Sequence, residues 1–237
     1  MHPTQMSEFA NQVVLITGAK GGLGSHVTEA FLAAGASVVG TSRKIEDGDF
    51  ANPRFAGMAA DLTSAEAARQ LTTGVIQRFH KIDVLVHVMG GFAGGQSIAE
   101  TSDETWDRMM SMNVHSAFYI LRAVIPHMRQ AGRGRIIAIG SRNAVEPAAN
   151  LSAYNVSKAA LVSLMRTAAI ENKDLGIAAN VILPATMDTA ANRAAMPGAN
   201  TAEWVQPKQV ADTVIFLASA SGEQISGAAI PIYGPQL

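Results

Sequence analysis

The chain has 237 residues, of which 48% are hydrophobic and 16% charged, so it can build a substantial core and is not expected to be disordered. A net charge of −1 gives no basis for binding nucleic acid or an anionic membrane, and the absence of cysteine excludes disulfides and thiolate metal sites. The N-terminal stretch MHPTQMSEFANQ lacks the features of a signal peptide, and no apolar run reaches the roughly 18 residues that span a bilayer, so a soluble cytoplasmic protein is predicted.

Short β-branched runs alternate with longer alanine-rich periodic segments. Strands are predicted at 12–17, 37–41, 55–60, 82–88, 135–140, 178–183 and 226–232. Helices are predicted at 23–34, 64–79 with Ser64 as N-cap, 103–131 with a disturbance near Pro126, 152–173 and 207–219. The strands are apolar on both faces, which indicates a parallel sheet covered by helices on both sides. We therefore predict a doubly wound α/β fold with a mainly seven-stranded parallel sheet, in a single domain over residues 1–237.

A glycine-rich turn, TGAKGGLGS (17–25), follows the strand at 12–17 and leads into a helix. Glycine permits a sharp turn and a close approach of the backbone to a ligand, and a helix N-terminus offers free N–H groups to a pyrophosphate. The spacing GxxxGxG is a variant of the dinucleotide fingerprint GxGxxG. Gly18, Gly22 and Gly24 therefore predict a dinucleotide site; a glycine-rich turn without a ligand is the alternative.

A tyrosine and a lysine stand four positions apart in SAYNVSKAAL (152–161). Positions i and i+4 lie on the same face of a helix, so the ammonium of Lys158 is expected near the hydroxyl of Tyr154. A nearby cation favours the phenolate and lowers the tyrosine pKa from about 10, which suits a general acid and base near neutral pH. The alternative is a half-buried tyrosine beside a snorkelling lysine, and the spacing alone does not decide between the two.

Together these motifs resemble the short-chain dehydrogenase/reductase family over nearly the whole chain. The resemblance rests on TGAKGGLG (17–24), DVLVHVMGG (83–91), Asn113, Ser141 after RIIAIG, YNVSK (154–158) and LPATMDT (183–189). It implies a Rossmann-type fold and an oxidoreductase that transfers a hydride between a nicotinamide cofactor and a small carbonyl or alcohol substrate.

The resemblance gives a role to each of four side chains. Tyr154 would donate a proton to the carbonyl oxygen, and Ser141 would hold that oxygen by a hydrogen bond. Lys158 would lower the pKa of Tyr154 and bind the nicotinamide ribose, and Asn113 would fix a water that links Lys158 to solvent. Independently of the family, hydride transfer leaves a developing alkoxide that needs hydrogen-bond donors and a proton.

The residues predicted to contact the cofactor follow from the same resemblance. They are Gly18, Lys20, Gly22, Leu23, Gly24, Ser42, Arg43, Asp61, Leu62, Gly90, Tyr154, Lys158, Pro184, Met187 and Thr189.

The end of the second predicted strand bears on the choice of cofactor. An NAD-selective site places Asp or Glu there to bond the ribose 2′-hydroxyl, but positions 40–44 hold neither. Ser42 and Arg43 stand there instead, and a guanidinium suits a 2′-phosphate by charge and by geometry. NADP(H) is therefore predicted over NAD(H); the alternative is that Arg43 is merely solvated.

Two positions depart from the family pattern. The Asn-Asn-Ala-Gly that follows the family's fourth strand is HVMG (87–90) here, and the Pro-Gly that follows its sixth strand is Pro184-Ala185. We expect His87 to be a buried strand histidine bonded to the backbone, with a proton-transfer role as the alternative.

Two loops carry a narrower resemblance. GGFAGG (90–95) and LPATMDTAANRAAMP (183–197) are similar to loops of dihydropteridine reductase, a family member that reduces quinonoid dihydropterin. The resemblance implies that residues from about 185 to 205 form a substrate lid. It also implies an alternative function for the protein, that of a dihydropteridine- or quinone-type reductase. A structural role, in which Asn192 and Arg193 cap a helix, is the alternative for this segment.

The remaining expectations concern substrate and assembly. Substrate contacts are predicted from Phe92, Arg142, Asn143 and Met196. The alanine-rich helices predicted at 103–131 and 152–173 resemble those that join two dimers in the family, so a homotetramer is predicted. A non-catalytic nucleotide-binding protein on the same fold is less favoured, because it would not need the four side chains given a catalytic role.

Overall fold

Seven parallel strands form one sheet in this computed structural model, which describes residues 8–235. The strands are β1 Val13–Thr17, β2 Ser37–Thr41, β3 Phe55–Gly57, β4 Val84–His87, β5 Gly134–Ile139, β6 Ile177–Pro184 and β7 Ala229–Ile232. The helices are α1 Gly24–Ala33, α2 Ala65–Phe79, α3 Asp103–Met110, α4 Ser116–Ala131, α5 Ser152–Asn172, α6 Ala190–Ala195 and α7 Pro207–Ala218. Within the described range, no helix is long and apolar enough to span a membrane. The expectation about a signal peptide concerns mainly residues 1–7, which lie outside the described residues.

The strand order is β3-β2-β1-β4-β5-β6-β7, which confirms the predicted doubly wound α/β fold. The chain builds outward from β1 in one direction through β2 and β3, and in the other direction from β4 to β7. Ligands of such sheets bind outside the carboxyl ends of the strands, at the point where the order reverses. This point lies between β1 and β4, where Thr17 pairs with His87.

Both faces of the sheet are buried, because alternate side chains of each strand point to opposite sides. Val13 and Leu15 of β1 pack with α2, α4 and α5 on one face. Val14 and Ile16 pack with α1 and α7 on the other face. The strands are therefore apolar at consecutive positions, which is the pattern that made the parallel sheet predictable from the sequence.

The segment predicted as one helix over 103–131 is divided. A π-helical turn, Ser111–His115, separates α3 from α4. The predicted disturbance near Pro126 is wrong, since this proline lies inside α4. A π turn changes the angular position of the side chains that follow, and such turns occur frequently at functional sites. Asn113 lies in the middle of this one.

The segment 185–205, expected to form a substrate lid, contains the short helix α6 and is closed at its base. Met187 and Val205 form an isolated parallel β-bridge, and the amide of Asp188 donates to the carbonyl of Val205 at 2.8 Å. The segment is therefore a loop whose two ends are held together beside β6.

Polar contacts within this loop fix α6. Thr189 is the N-cap, since its hydroxyl accepts a hydrogen bond from the amide of Asn192 at 3.2 Å. Arg193 forms a two-point ion pair with Asp188, with N–O distances of 2.5 and 2.8 Å. The expectation that Asn192 and Arg193 cap the helix is therefore wrong in detail: Thr189 caps it, and Arg193 ties it to the preceding turn.

Candidate active site

A cleft of about 730 Å³ opens at the carboxyl edge of the sheet, where the strand order reverses. Many of the residues predicted to contact the cofactor line this cleft. They are Gly18, Gly22, Leu23, Ser42, Arg43, Asp61, Leu62, Gly90, Tyr154, Lys158, Met187 and Thr189. Lys20, Gly24 and Pro184 were also predicted but lie outside the lining.

The glycine loop forms one wall of the cleft and is packed too tightly for side chains. Gly18 has a φ of +69°, and a Cβ there would lie 3.0 Å from the backbone nitrogen of Met89. A Cβ on Gly24 would lie 2.0 Å from the carbonyl oxygen of Gly18, so Gly24 serves the packing of α1 under the loop. On the other side, a Cβ on Gly22 would meet Thr189 at 2.9 Å, which brings the glycine loop against the segment 185–205.

The end of β2 contributes one exposed cation to the cleft. Arg43 makes no hydrogen bond or ion pair with any residue between 8 and 235 that the structure describes, and Ser42 beside it is neutral. Asp61 faces the same region, but its carboxylate accepts from the amide and the hydroxyl of Thr63 at 3.0 and 2.7 Å. The hydroxyl of Thr63 is the main cause that lowers the pKa of Asp61.

Lys20 points to a different surface. Its ammonium forms an ion pair with Asp49 at 2.6 Å and lines a neighbouring pocket of about 530 Å³. The structure therefore does not bring Lys20 together with the other predicted cofactor contacts, because Asp49 holds it on the outer side of the glycine loop.

The helix α5 presents Tyr154 and Lys158 to the cleft from the same face. Lys158 is only 5% exposed, and burial lowers its pKa to about 8. Its ammonium donates to the carbonyl oxygen of Ile139 at 3.0 Å and lies 5.9 Å from the centre of the Tyr154 ring.

The expected lowering of the Tyr154 pKa is not found. Burial raises the pKa of Tyr154, and a hydrogen bond with Ser141 opposes this only in part. The physical reason is that the tyrosine is desolvated, while the nearest ammonium, that of Lys158, is directed to a backbone carbonyl. The phenol is therefore held in its protonated form.

Ser141 stands directly after β5 and is positioned by the turn that follows. Its hydroxyl oxygen accepts a hydrogen bond from the amide of Asn143 at 3.2 Å and so caps a short 3-10 helix. The same hydroxyl donates to Asn143 Oδ1 at 3.4 Å and lies close enough to the Tyr154 hydroxyl to lower the pKa of that tyrosine in part. The fold thus brings two hydroxyls from separate elements near each other, and of these two residues Tyr154 lines the cleft.

Asn113 fixes the floor of the cleft. Its Oδ1 accepts from the amide of Gly91 at 2.8 Å, and its Nδ2 donates to the carbonyl of Gly91 and to the hydroxyl of Ser157, both at 3.0 Å. The backbone passes so close that a Cβ on Gly90 would lie 2.8 Å from Asn113 Oδ1 and 3.2 Å from Lys158 Nζ. Asn113, Gly90 and Lys158 therefore form one tightly packed unit.

Of the four predicted substrate contacts, Phe92 is the one that lines the cleft. It is 66% exposed, and its ring meets that of Tyr154 edge-on with centroids 5.0 Å apart. Arg142 is engaged with Glu146 at 2.6 Å and stacks over Tyr233, with 4.7 Å from the guanidinium carbon to the ring centroid.

The other two predicted substrate contacts also lie outside the lining, and several residues of the lining were not predicted. Asn143 donates to Asn155 at 3.1 Å, and Met196 lies at the end of α6. Arg108 and Met112 line the cleft from α3 and the π-helical turn. Their i and i+4 spacing indicates that the two side chains share one face of a helix. The prediction of one regular helix over 103–131 did not show that this face is the one directed to the cleft.

His87 is buried at the end of β4, as expected, but its partners are side chains. Its Nδ1 lies 3.0 Å from the hydroxyl of Thr17, and its Nε2 lies 3.4 Å from the hydroxyl of Ser116. Burial, followed by the nearby charge of Lys158, lowers the pKa of His87 to about 3. The imidazole is therefore neutral, and the expected hydrogen bonds to the backbone are wrong.

Comparison with known proteins agrees with this geometry. The family model of short chain dehydrogenases matches residues 12–200. Among curated proteins, dehydrogenase/reductase SDR family member 4 of Caenorhabditis elegans is 31% identical over 98% of this chain and 97% of its own length.

Solved structures show the same architecture. A 3-ketoacyl-(acyl-carrier-protein) reductase from Brucella melitensis, complexed with NADH, matches with a TM-score of 0.86 and 26% identity over 96% of this chain and 99% of its own. The aldohexose dehydrogenase of Thermoplasma acidophilum, in ligand-free form, matches with a TM-score of 0.89 and 26% identity over 98% and 96% of the two chains.

The buried ammonium of Lys158 predicts a specific dependence of stability on pH. Because its pKa is about 8 in the folded protein, below the ordinary 10.5, the unfolded chain binds more protons between these values and the free energy of unfolding rises with pH there. Relative to Lys158→Met, we expect the parent to gain on the order of 2 kcal/mol between pH 7 and pH 10 in denaturant unfolding. Lys208→Met is the control, since the side chain of Lys208 is 76% exposed. A parent-minus-variant difference that is the same at both pH values would contradict the lowered pKa.

Proposed function

The chain belongs to the short-chain dehydrogenase/reductase family and is an oxidoreductase, and from this premise we propose that it transfers a hydride between NADP(H) and a small carbonyl or alcohol compound. The observation that carries the proposal is the meeting of the Ser141 and Tyr154 hydroxyls beside the buried ammonium of Lys158, in a cleft walled by a glycine loop. The proposed site thus combines a proton donor, a second hydroxyl and a cation around one point.

The residues of the cleft fit a nicotinamide dinucleotide. Gly18, Gly21 and Gly22 line it without side chains, and the N-terminus of α1 beyond them has no side-chain cap, so its positive dipole end is available to a pyrophosphate. A volume of about 730 Å³ lies in the range of cofactor sites. The structural neighbour from Brucella melitensis was solved with NADH, which supports a nicotinamide cofactor here.

The roles of the side chains follow from their protonation. When bound, the nicotinamide supplies or accepts the hydride. Tyr154, which burial holds protonated, donates its proton to the substrate oxygen, while the hydroxyl of Ser141 donates a hydrogen bond to the same oxygen. Lys158, which is cationic below pH about 8, stabilises the phenolate that remains.

Asn113 supports this chemistry by holding the backbone of the cleft floor in place. Its two hydrogen bonds to Gly91 and its contact with Ser157 hold the backbone that would underlie the nicotinamide. Its Oδ1 accepts from Gly91 and keeps a second lone pair in the region of Gly90 and Lys158. We assign to this lone pair the water that links Lys158 to solvent.

The preference for NADP(H) over NAD(H) rests on the end of β2. Ser42 places no carboxylate where it would repel a 2′-phosphate, and Arg43 has its guanidinium free to pair with one. Lys20 contributes less to this preference, because its ammonium is already paired with Asp49 at 2.6 Å.

A dihydropteridine- or quinone-type reductase is the second candidate, and Phe92 is the observation that favours it. A ring that is 66% exposed beside Tyr154 offers a flat, conjugated substrate a surface to stack on. Oxidation of NADPH by the purified protein separates the candidates. Turnover with simple ketones or aldehydes supports the first, and turnover confined to quinones or quinonoid dihydropterin supports the second. Binding of NADPH without any turnover supports a non-catalytic protein.

We also propose a homotetramer. Trp106, Phe118 and Val156 on α3, α4 and α5 are each at least 40% exposed, which leaves apolar surface on the helices that the family resemblance places between dimers. Light scattering at micromolar concentration is expected to give four times the monomer mass, and a monomer would contradict the assembly.

Removing the proposed proton donor tests the mechanism. Tyr154→Phe keeps the ring and its packing against Phe92 but loses the hydroxyl, so kcat is expected to fall by about 10²–10⁴-fold with little change in stability. Tyr119→Phe is the matched control, since Tyr119 lies on α4 outside the lining of the cleft. If Tyr154→Phe turned over within about twofold of the parent, another group would have to supply the proton.

Removing the free guanidinium tests the choice of cofactor. A charge-assisted hydrogen bond contributes about 1.5–3 kcal/mol, so Arg43→Ala is expected to weaken NADPH by about ten- to a hundredfold while leaving the Kd of NADH nearly unchanged. Lys44→Ala is the control, because this neighbouring cation is exposed and lies outside the cleft lining. Equal effects of Arg43→Ala on the two cofactors would show that Arg43 does not read the phosphate.

A further inference from the structure

We propose that His87 is a positioning residue of the active site: through hydroxyls at both ring nitrogens it joins the end of β1 to the helical segment that carries Asn113, and so fixes the floor of the cleft. The contacts of His87 with Thr17 and Ser116 are present in the protein without a ligand, so they do not depend on the proposed function. The expected effect on cofactor binding, by contrast, rests on the function proposed above.

The hydrogen bonds around His87 select one tautomer. The amide of Met89 donates to the hydroxyl oxygen of Thr17 at 3.1 Å, so the single proton of Thr17 is available for His87 Nδ1 at 3.0 Å. At the other nitrogen, the proton of Ser116 is donated to the carbonyl of Met112 at 2.7 Å. The oxygen of Ser116 is therefore left to accept, at 3.4 Å, from a proton on Nε2.

The opposite tautomer leaves groups without partners. With the proton on Nδ1, the hydroxyl of Thr17 would have to accept twice and would lose the acceptor for its own proton. Nε2 would then need a proton from Ser116, which is already donated to Met112. The assigned tautomer satisfies every donor and acceptor of the chain, which runs from Met89 through Thr17, His87 and Ser116 to Met112.

This chain closes into a ring through the floor of the cleft. Asn113, which stands in the π-helical turn three residues before Ser116, holds Gly91 through both its amide and its carbonyl. Gly91 is two residues from Met89, where the chain of hydrogen bonds begins. The backbone of 88–91 is thus held at one end by Thr17 and at the other end by Asn113, and His87 links these two supports.

The environment of His87 suits positioning and not proton transfer. Its ring is 1% exposed, and the ammonium of Lys158 is directed to the carbonyl of Ile139. A protonated ring would place a second buried cation near Lys158, and the pKa of about 3 keeps the imidazole neutral. A neutral ring accepts at one nitrogen and donates at the other, as this position requires.

Substitutions can remove one bond at a time. The amide of His87→Asn stands near the Nδ1 position and retains an acceptor for Thr17. The amide of His87→Gln reaches the Nε2 position and retains a donor for Ser116. His87→Leu keeps a buried side chain of comparable size with neither bond. Thr17→Val removes the first bond from the other side together with the bond from the Met89 amide, and Ser116→Ala removes the second together with the bond to the Met112 carbonyl.

Hydrogen–deuterium exchange of the ligand-free protein is the first measurement. We expect His87→Leu to increase exchange in both 88–91 and 111–116. His87→Asn should restore protection in the first segment and His87→Gln in the second, and Thr17→Val and Ser116→Ala should each expose the corresponding segment. Unchanged exchange in both segments of His87→Leu would overturn the proposal, and so would an equal increase over the whole chain in all three His87 variants, which indicates a role in packing alone.

Binding of NADPH, followed by fluorescence, is the second measurement. We expect His87→Leu to weaken binding about tenfold, the effect of losing one to two buried hydrogen bonds, and His87→Asn to weaken it by less than about threefold. Unchanged binding in His87→Leu despite increased exchange would overturn the positioning role. If the parent itself bound neither NADPH nor NADH, the proposed function would fail, while the exchange pattern would still decide whether His87 joins the two segments.

Discussion

The pairing of β1 with β4 is the constraint on which the rest of the site depends. In this register Thr17 lies beside His87, and both strands end there. The glycine loop therefore follows β1, and the backbone of the cleft floor follows β4 at the adjacent position. Gly18 packs against the backbone of Met89 at a distance that excludes a side chain. A shift of the register by one residue would turn every side chain of the strand to the other face and would separate these contacts. The cleft is therefore a consequence of the sheet order.

Burial controls the electrostatics of the site. Desolvation raises the pKa of Tyr154 and lowers that of Lys158, so burial shifts both groups towards their neutral forms relative to water. A protonated phenol is suited to donate, and a lysine with a pKa of about 8 can exchange its proton near neutral pH. Burying the ammonium of Lys158 lowers the free energy of unfolding, and such a loss of stability is common at functional sites.

The sequence predicted those features that depend on local pattern. The doubly wound sheet follows from strands apolar on both faces, and the N-cap at Ser64 is confirmed by its bond to the amide of Ala67 at 3.3 Å. The π-helical turn at 111–115 was not predictable, because the local pattern of residues 103–131 is that of a regular helix, whereas Asn113 in this turn bonds to the distant Gly91 and Ser157. The pKa of Tyr154 was predicted in the wrong direction, since the i, i+4 spacing to Lys158 says nothing about burial or about where the ammonium points.

In the proposed reaction, the cleft carries a hydride from the nicotinamide to a carbonyl carbon, and Tyr154 supplies the proton. The most direct test is to supply NADPH with deuterium at the transferable position of nicotinamide C4 and to analyse the alcohol formed from a turned-over ketone or aldehyde by mass spectrometry. We expect one deuterium on the carbinol carbon of every product molecule and none on the hydroxyl after washing with ordinary water. Oxidation of NADPH that leaves the carbinol carbon without deuterium would contradict direct hydride transfer.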